Sequence, residues 1–180
     1  MDMPSSPLTS FASDAHRLIE DPHAIGERLR DLLAHDGWLA PEHRVPDHER
    51  YRQHLLHVSS DRQLSIVALV WLPGQRTPIH DHVSWCVVGV HEGRELETRY
   101  RAVEADGRRW LEEGDSVLAD PGHVEVIVPS GQEDIHAVTA VGEETTISIH
   151  VYGADIERLG SSIYRRFDDW PVVSAMPSGR

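Results

Sequence analysis

The chain has 180 residues, 13 histidines, one cysteine and a formal net charge of −13. That length suits one domain with a real core, and the excess of acid excludes a binder of phosphate backbones, which needs clustered Lys and Arg. No apolar run approaches the roughly 20 residues that a membrane helix requires.

Residues 1–10 lack the basic and apolar regions of a secretory signal. Residues 1–48 read as helices packing on the remainder of the chain. Ser13 or Asp14 is expected to cap a short helix through Glu20. Asp21-Pro22 supplies a cap and then proline at the first helical position. Ile25, Leu29, Leu32 and Leu33 form one apolar stripe, Gly37 stops it, and Pro41 and Pro46 mark a loop. From about residue 51 the period changes. Strands are expected at Leu64–Leu72, His82–Val90, Glu95–Ala102, Arg108–Glu112, Ser116–Ala119, Glu125–Pro129, Ile135–Val141 and Thr145–Tyr152. Turn signals separate them at His91-Glu92-Gly93, Ala105-Asp106-Gly107, Glu113-Gly114-Asp115, Pro121-Gly122, Ser130-Gly131 and Gly142. Short strands so spaced predict a sandwich or a double-sheet barrel. The barrel is expected over 49–170, with a loose tail over 171–180 and one domain overall. A lone Cys86 cannot pair within the chain, which fits a reducing cytoplasm.

In so histidine-rich a chain a single His-x-His carries little weight, and its surroundings decide. His80, His82, Ser84 and Cys86 share parity, so one unbroken strand points all four to one face. Ser148, His150 and Tyr152 also share parity, with Ile147, Ile149 and Val151 pointing the other way. That alternation fits a solvent-facing side or a polar cavity equally well. His136, in the strand-like Asp134-Ile135-His136-Ala137-Val138, is the third candidate ligand. Three neutral imidazoles suit Zn, Fe, Cu or Ni. They leave the full divalent charge of the ion and so favour an anionic ligand such as a thiolate. The remaining histidines read as surface or packed residues.

Gly74, His80, His82 and Gly93 fit the first cupin motif, with Cys86 at the place that most cupins fill with a glutamate ligand. With Trp71, Pro78-Ile79-His80-Asp81-His82, Ser148-Ile149-His150-Val151-Tyr152 and His136, residues 50–152 resemble the cysteine dioxygenase family of thiol dioxygenases. The resemblance implies a mainly β cupin, a double-stranded β-helix or jelly-roll barrel with a short N-terminal helical segment. It implies Fe(II) held by His80, His82 and His136, a relay of Ser148, His150 and Tyr152, and a thioether between Cys86 and Tyr152. The partners implied are a small thiol and O2, with no nucleic acid and no membrane; a monomer or small homo-oligomer is expected.

Within Tyr51-Arg52-Gln53-His54-Leu55, Gln53 stands where mammalian members carry the arginine that grips the substrate carboxylate. That resembles the bacterial 3-mercaptopropionate dioxygenases, whose arginine comes from downstream, where Arg158, Arg165 and Arg166 are the candidates. 3-Mercaptopropionate is thus the expected substrate. L-cysteine, with Arg52 as anchor, is the alternative. A metal-binding cupin without oxygenase chemistry and a non-catalytic ligand-binding module are the further ones.

Overall fold

The protein, a computed structural model described over residues 6–129 and 134–174, opens with helices α1 (Pro7–Arg17) and α2 (Pro22–Leu33). Helix α1 starts earlier than expected. Ser6, rather than Ser13 or Asp14, is its cap: the Ser6 hydroxyl accepts from the Thr9 N–H at 3.2 Å and Pro7 takes the first helical position. Ser13 and Asp14 lie inside the helix, which ends at Arg17 rather than Glu20. Helix α2 is capped as expected, by Asp21 accepting from the Ala24 N–H at 3.0 Å, and it buries Ile25, Leu29 and Leu32.

After a 3-10 turn at Pro41–Arg44 come β1 (Arg52–Val58), β2 (Ser65–Trp71), β3 (His80–His82), β4 (Cys86–Glu92), β5 (Arg94–Ala105), β6 (Arg108–Ala119), β7 (Val124–Ile127), β8 (Ile135–Val141) and β9 (Thr146–Tyr152). A one-turn helix α3 (Ile156–Leu159) leads to β10 (Ile163–Arg166) and β11 (Val172–Ser174). One sheet has the order β1-β2-β9-β4-β7 and the other β10-β3-β8-β5-β6-β11. The fold is therefore the expected mainly β, two-sheet barrel with short N-terminal helices.

Three expectations need correction. The strand expected over His82–Val90 is broken: β3 and β4 belong to different sheets, and the chain turns a corner at Val83-Ser84-Trp85. The Val83 N–H donates to the Ser162 carbonyl and the Trp85 carbonyl accepts from the Gly153 N–H, each at 3.1 Å. Ser84 turns its hydroxyl to the Trp85 carbonyl, so it does not share a strand face with His80, His82 and Cys86. Second, Glu113-Gly114-Asp115 is not a turn. Thr98 stands opposite Ser116 and Tyr100 opposite Glu113, so one residue of β5 faces two of β6 in a bulge within a single strand. Third, β1, α3, β10 and β11 were not among the expected elements. Residues 172–174 of the expected tail pair with β6 in parallel as β11, while 175–180 and the Ser130-Gly131 turn lie outside the described residues.

The helices explain the burial. Ile147, Ile149 and Val151 of β9 and Ile66, Ala68 and Val70 of β2 pack with Phe11, Ile25 and Leu29 on the outer face of the first sheet. Val67, Leu69, Trp71, Cys86 and Tyr152 pack on its inner face, towards the second sheet. A strand covered on both sides reads as a continuous apolar run, which is why all seven residues of Ser65–Trp71 are buried.

Candidate metal centre

On the second sheet β3 and β8 are neighbours, and His80 stands directly opposite His136. His82, two residues on, shares that face. The three ring centroids lie 4.8 to 4.9 Å apart, and one nitrogen from each ring falls within 4.8 Å of the others. Each ring is held through Nδ1. His80 donates from Nδ1 to the Pro78 carbonyl at 2.9 Å. His136 Nδ1 lies 2.7 Å from Glu97 Oε1. His82 Nδ1 lies 3.4 Å from Asp134 Oδ2, which also accepts the His82 backbone N–H at 3.0 Å. Such partners fix the tautomer and leave Nε2 of each ring as the ligand atom. Burial pushes the His80 imidazole well below its usual range, and it lowers His136 against the opposing pull of Glu97. Both rings are neutral, the form that binds a metal. Three imidazoles, oriented by carboxylates and a carbonyl, fit a divalent transition ion.

The first sheet faces this group with Ser148, His150 and Tyr152. All seven residues of β9 are buried, so its polar face meets a cavity and not solvent. Trp71 Nε1 donates to Ser148 Oγ at 3.2 Å, Ser148 Oγ lies 2.9 Å from His150 Nε2, and Tyr152 Oη lies 3.2 Å from His150 Nδ1. Burial pushes His150 down to about 3 and Tyr152 well above the usual phenol range. Cys86 is the register partner of Tyr152 on neighbouring β4, with its sulfur 3.9 Å from His150 Nδ1. Burial also pushes its thiol up, and it stands apart from the three-histidine group.

Between the sheets lies a cavity of about 60 Å³ whose wall includes His80, His82, His136, His150, Tyr152 and Gln53. At about 10 to 15 Å³ per water position, that is room for roughly four to six heavy atoms. The three arginines part company. Arg165 is turned to Asp81, donating from Nε to Oδ2 at 2.6 Å. Arg158 lines a separate hollow with Asp155 and Trp85. Arg166 is the register partner of His80 on β3, and its charge acts on Tyr51, a residue of the cavity wall. Gln53 reaches the cavity from β1, beside Tyr51.

Sequence reasoning missed Glu95, Glu97 and Asp134, all buried. Glu95 and Glu97 share parity on β5, with Leu96 facing away. The signal was present, but alternating carboxylates on a strand ordinarily mean a wet face.

No family model matches the chain. Among solved structures it is similar to a cupin superfamily protein from Desulfitobacterium hafniense (11 % identity, TM-score 0.45, covering 60 % of this chain and 81 % of that one). It is also similar to an RmlC-like cupin protein from Desulfovibrio desulfuricans (23 %, 0.41, 67 % and 95 %). A third is a recombinant oxalate oxidase in complex with glycolate (17 %, 0.46, 61 % and 53 %). At these identities the likeness is one of fold.

Proposed function

We propose that the chain is an Fe(II)-dependent thiol dioxygenase that converts a small thiol carboxylate to its sulfinate, with 3-mercaptopropionate preferred to L-cysteine. The observation that carries this reading is a buried three-imidazole group facing, across a small cavity, a buried chain of hydroxyl, imidazole and phenol. His80, His82 and His136 would hold the iron(II), which would supply the chemistry of bringing a thiolate and O2 together.

The residues of the chain do the rest. With no carboxylate among the ligands, the three rings would leave the divalent charge of the ion uncompensated at its own ligands, which favours a thiolate over a neutral donor. Tyr152 stays a phenol and so remains a hydrogen-bond donor, while His150 stays a neutral imidazole that orients it. The cavity, at about 60 Å³, has room for a small thiol. Arg166 shares the face of its register partner His80, which makes it the arginine we assign to the carboxylate; Arg165 already has Asp81. Cys86 and Tyr152 stand directly opposite on adjacent strands, where side chains are neighbours, which supports the thioether expected between them.

The test is oxygen consumption by iron-loaded protein offered each thiol in turn, with sulfinate as the product sought. His82→Ala is expected to lose both iron and uptake. Absence of thiol-dependent uptake by an iron-loaded sample overturns the reading, and a zinc-bearing protein inert to O2 points to the non-oxygenase cupin instead.

A further inference from the structure

Two of the three candidate ligands ride on β3, a strand of only three residues that meets β8 in the register pair His80 and His136. A strand so short has little ladder of its own to hold two imidazoles on one ion. Along its other edge runs β10, and the hydrogen bonds from that side fall on alternate residues. The Ile79 N–H donates to Asp168 Oδ1 at 3.1 Å, and the Ile79 carbonyl accepts from the Phe167 N–H at 2.8 Å. Asp81 accepts the Arg165 N–H on Oδ1 and the Arg165 guanidinium on Oδ2, through Nε and Nη2, each at 2.6 Å. The Val83 N–H ends the row on the Ser162 carbonyl. Ile79, Asp81 and Val83 thus turn to the β10 side. His80 and His82, between them, turn to β8, where His80 faces His136 and the His82 N–H reaches Asp134.

The β10 side is irregular where it meets Asp81. Ile163 stands opposite His82 and Arg166 opposite His80, so two residues of β10, Tyr164 and Arg165, face the single Asp81 in a bulge. The bulge brings the backbone N–H and the guanidinium of one arginine onto the same carboxylate. Asp81 is 3 % exposed, and a charge so buried needs its partner in place. The Arg165 guanidinium lies 5.2 Å over the Phe167 ring, and Phe167 packs in a buried cluster with Ile79 and Ile135.

We propose that residues 162–168 form a clasp for the metal centre, with Asp81 and Arg165 as its positioning residues. Docking of the clasp sets His80 and His82 towards one ion, and an ion bound there keeps the clasp docked. Both events act on the same three-residue strand, so the coupling is reciprocal: the factor by which the docked clasp raises metal affinity is the factor by which the metal favours docking. The clasp also carries Ser162 and Ile163 of the cavity wall, so that part of the wall is firm only when an ion is held. The inference requires that the three histidines bind a divalent ion and is independent of the reaction proposed there.

The test uses full-length protein and zinc(II), which binds without oxidising a thiol. In the parent, zinc is expected to slow hydrogen exchange of the Arg165 and Phe167 amides roughly tenfold or more, while the amides of α1 stay within about twofold. Arg165→Gln and Asp81→Asn are each expected to weaken zinc about 10- to 100-fold, read by competition with a chelator. The double variant is expected to be no weaker than about the worse of the two, because the pair acts as one unit. Arg165→Lys keeps the charge without the fork and is expected to recover part of the loss. Zinc affinity within about twofold of the parent in both single variants, losses that multiply in the double variant, or zinc that leaves the exchange of Arg165 and Phe167 unchanged overturns the proposal. The exchange measurement on the parent decides if the variants fail to fold. If the iron-loaded parent takes up no O2 with any thiol, the dioxygenase reading fails and the zinc measurements still decide the clasp.

Discussion

Glu95 carries a cost that depends on pH. Its carboxyl is lifted from an ordinary 4.5 to about 7 by burial, so the folded chain holds that proton more tightly than the unfolded one. The stability it contributes is fully present below about pH 4.5 and is lost as the pH rises through about 7. Above that, the buried carboxylate costs about 3 kcal/mol relative to the same group in water. Glu95→Gln is therefore expected to be more stable than the parent at about pH 8 and nearly equal to it at about pH 4.5, as urea denaturation at the two pH values would measure. Arg166 is the arginine proposed for the substrate carboxylate. Arg166→Gln is expected to raise KM for 3-mercaptopropionate about 10- to 100-fold with kcat little changed, and to leave unaltered the KM for a thiol lacking a carboxylate. Arg165→Gln instead loosens Asp81 and should leave KM alone. At this scale spacing offered His80, His82 and His136 as candidate ligands and put Ser148, His150 and Tyr152 on one face, while the family resemblance joined them into one site. Glu95 and Glu97 were not legible, because a strand's polar side reads alike whether it meets water or a closed cavity.

Among the elements, the turn at Gly93 shows how tightly β4, β5 and β9 are joined. Gly93 has a φ of +71°, and a β carbon there would lie 2.7 Å from the backbone Cα of Thr146. Backbone cannot step aside as a side-chain tip can, so Gly93→Ala is expected to cost at least about 2 kcal/mol, visible as a lowered thermal midpoint. This glycine was legible as the end of a metal-barrel motif, while its reason, the close approach of β9, was not. The corner at Val83-Ser84-Trp85 escaped for a related cause. The residues there remain strand-like, and the bend is set by Ser162 and Gly153, about 70 to 80 residues away in sequence, which no local pattern encodes. Gly114 misled in the opposite direction, since a glycine between charged residues serves a bulge as well as a turn.

At the scale of the whole molecule, the change from helical to strand periodicity near residue 51 and the rhythm of short strands were enough to anticipate two sheets and a helical cover. What periodicity could not supply was which strand joins which sheet, and that assignment carries the chemistry. His80, His82 and His136 are borne by one sheet, and Ser148, His150, Tyr152 and Cys86 by the other. A thioether between Cys86 and Tyr152 would tie two strands of the same sheet and would not staple the two layers. The gap between the layers is kept by packing and by a few non-covalent ties, such as Arg99 to Glu125 and the Thr146 hydroxyl to the Arg94 backbone, so the centre resembles a caliper whose jaws are the sheets themselves. A slight widening that leaves every strand paired would part the phenol from the three imidazoles before any ladder hydrogen bond is broken. In rising urea, thiol oxidation is accordingly expected to fail at a lower concentration than the far-ultraviolet circular dichroism of the strands. Coincident loss of both would mean that the layers separate only when the sheets themselves unfold.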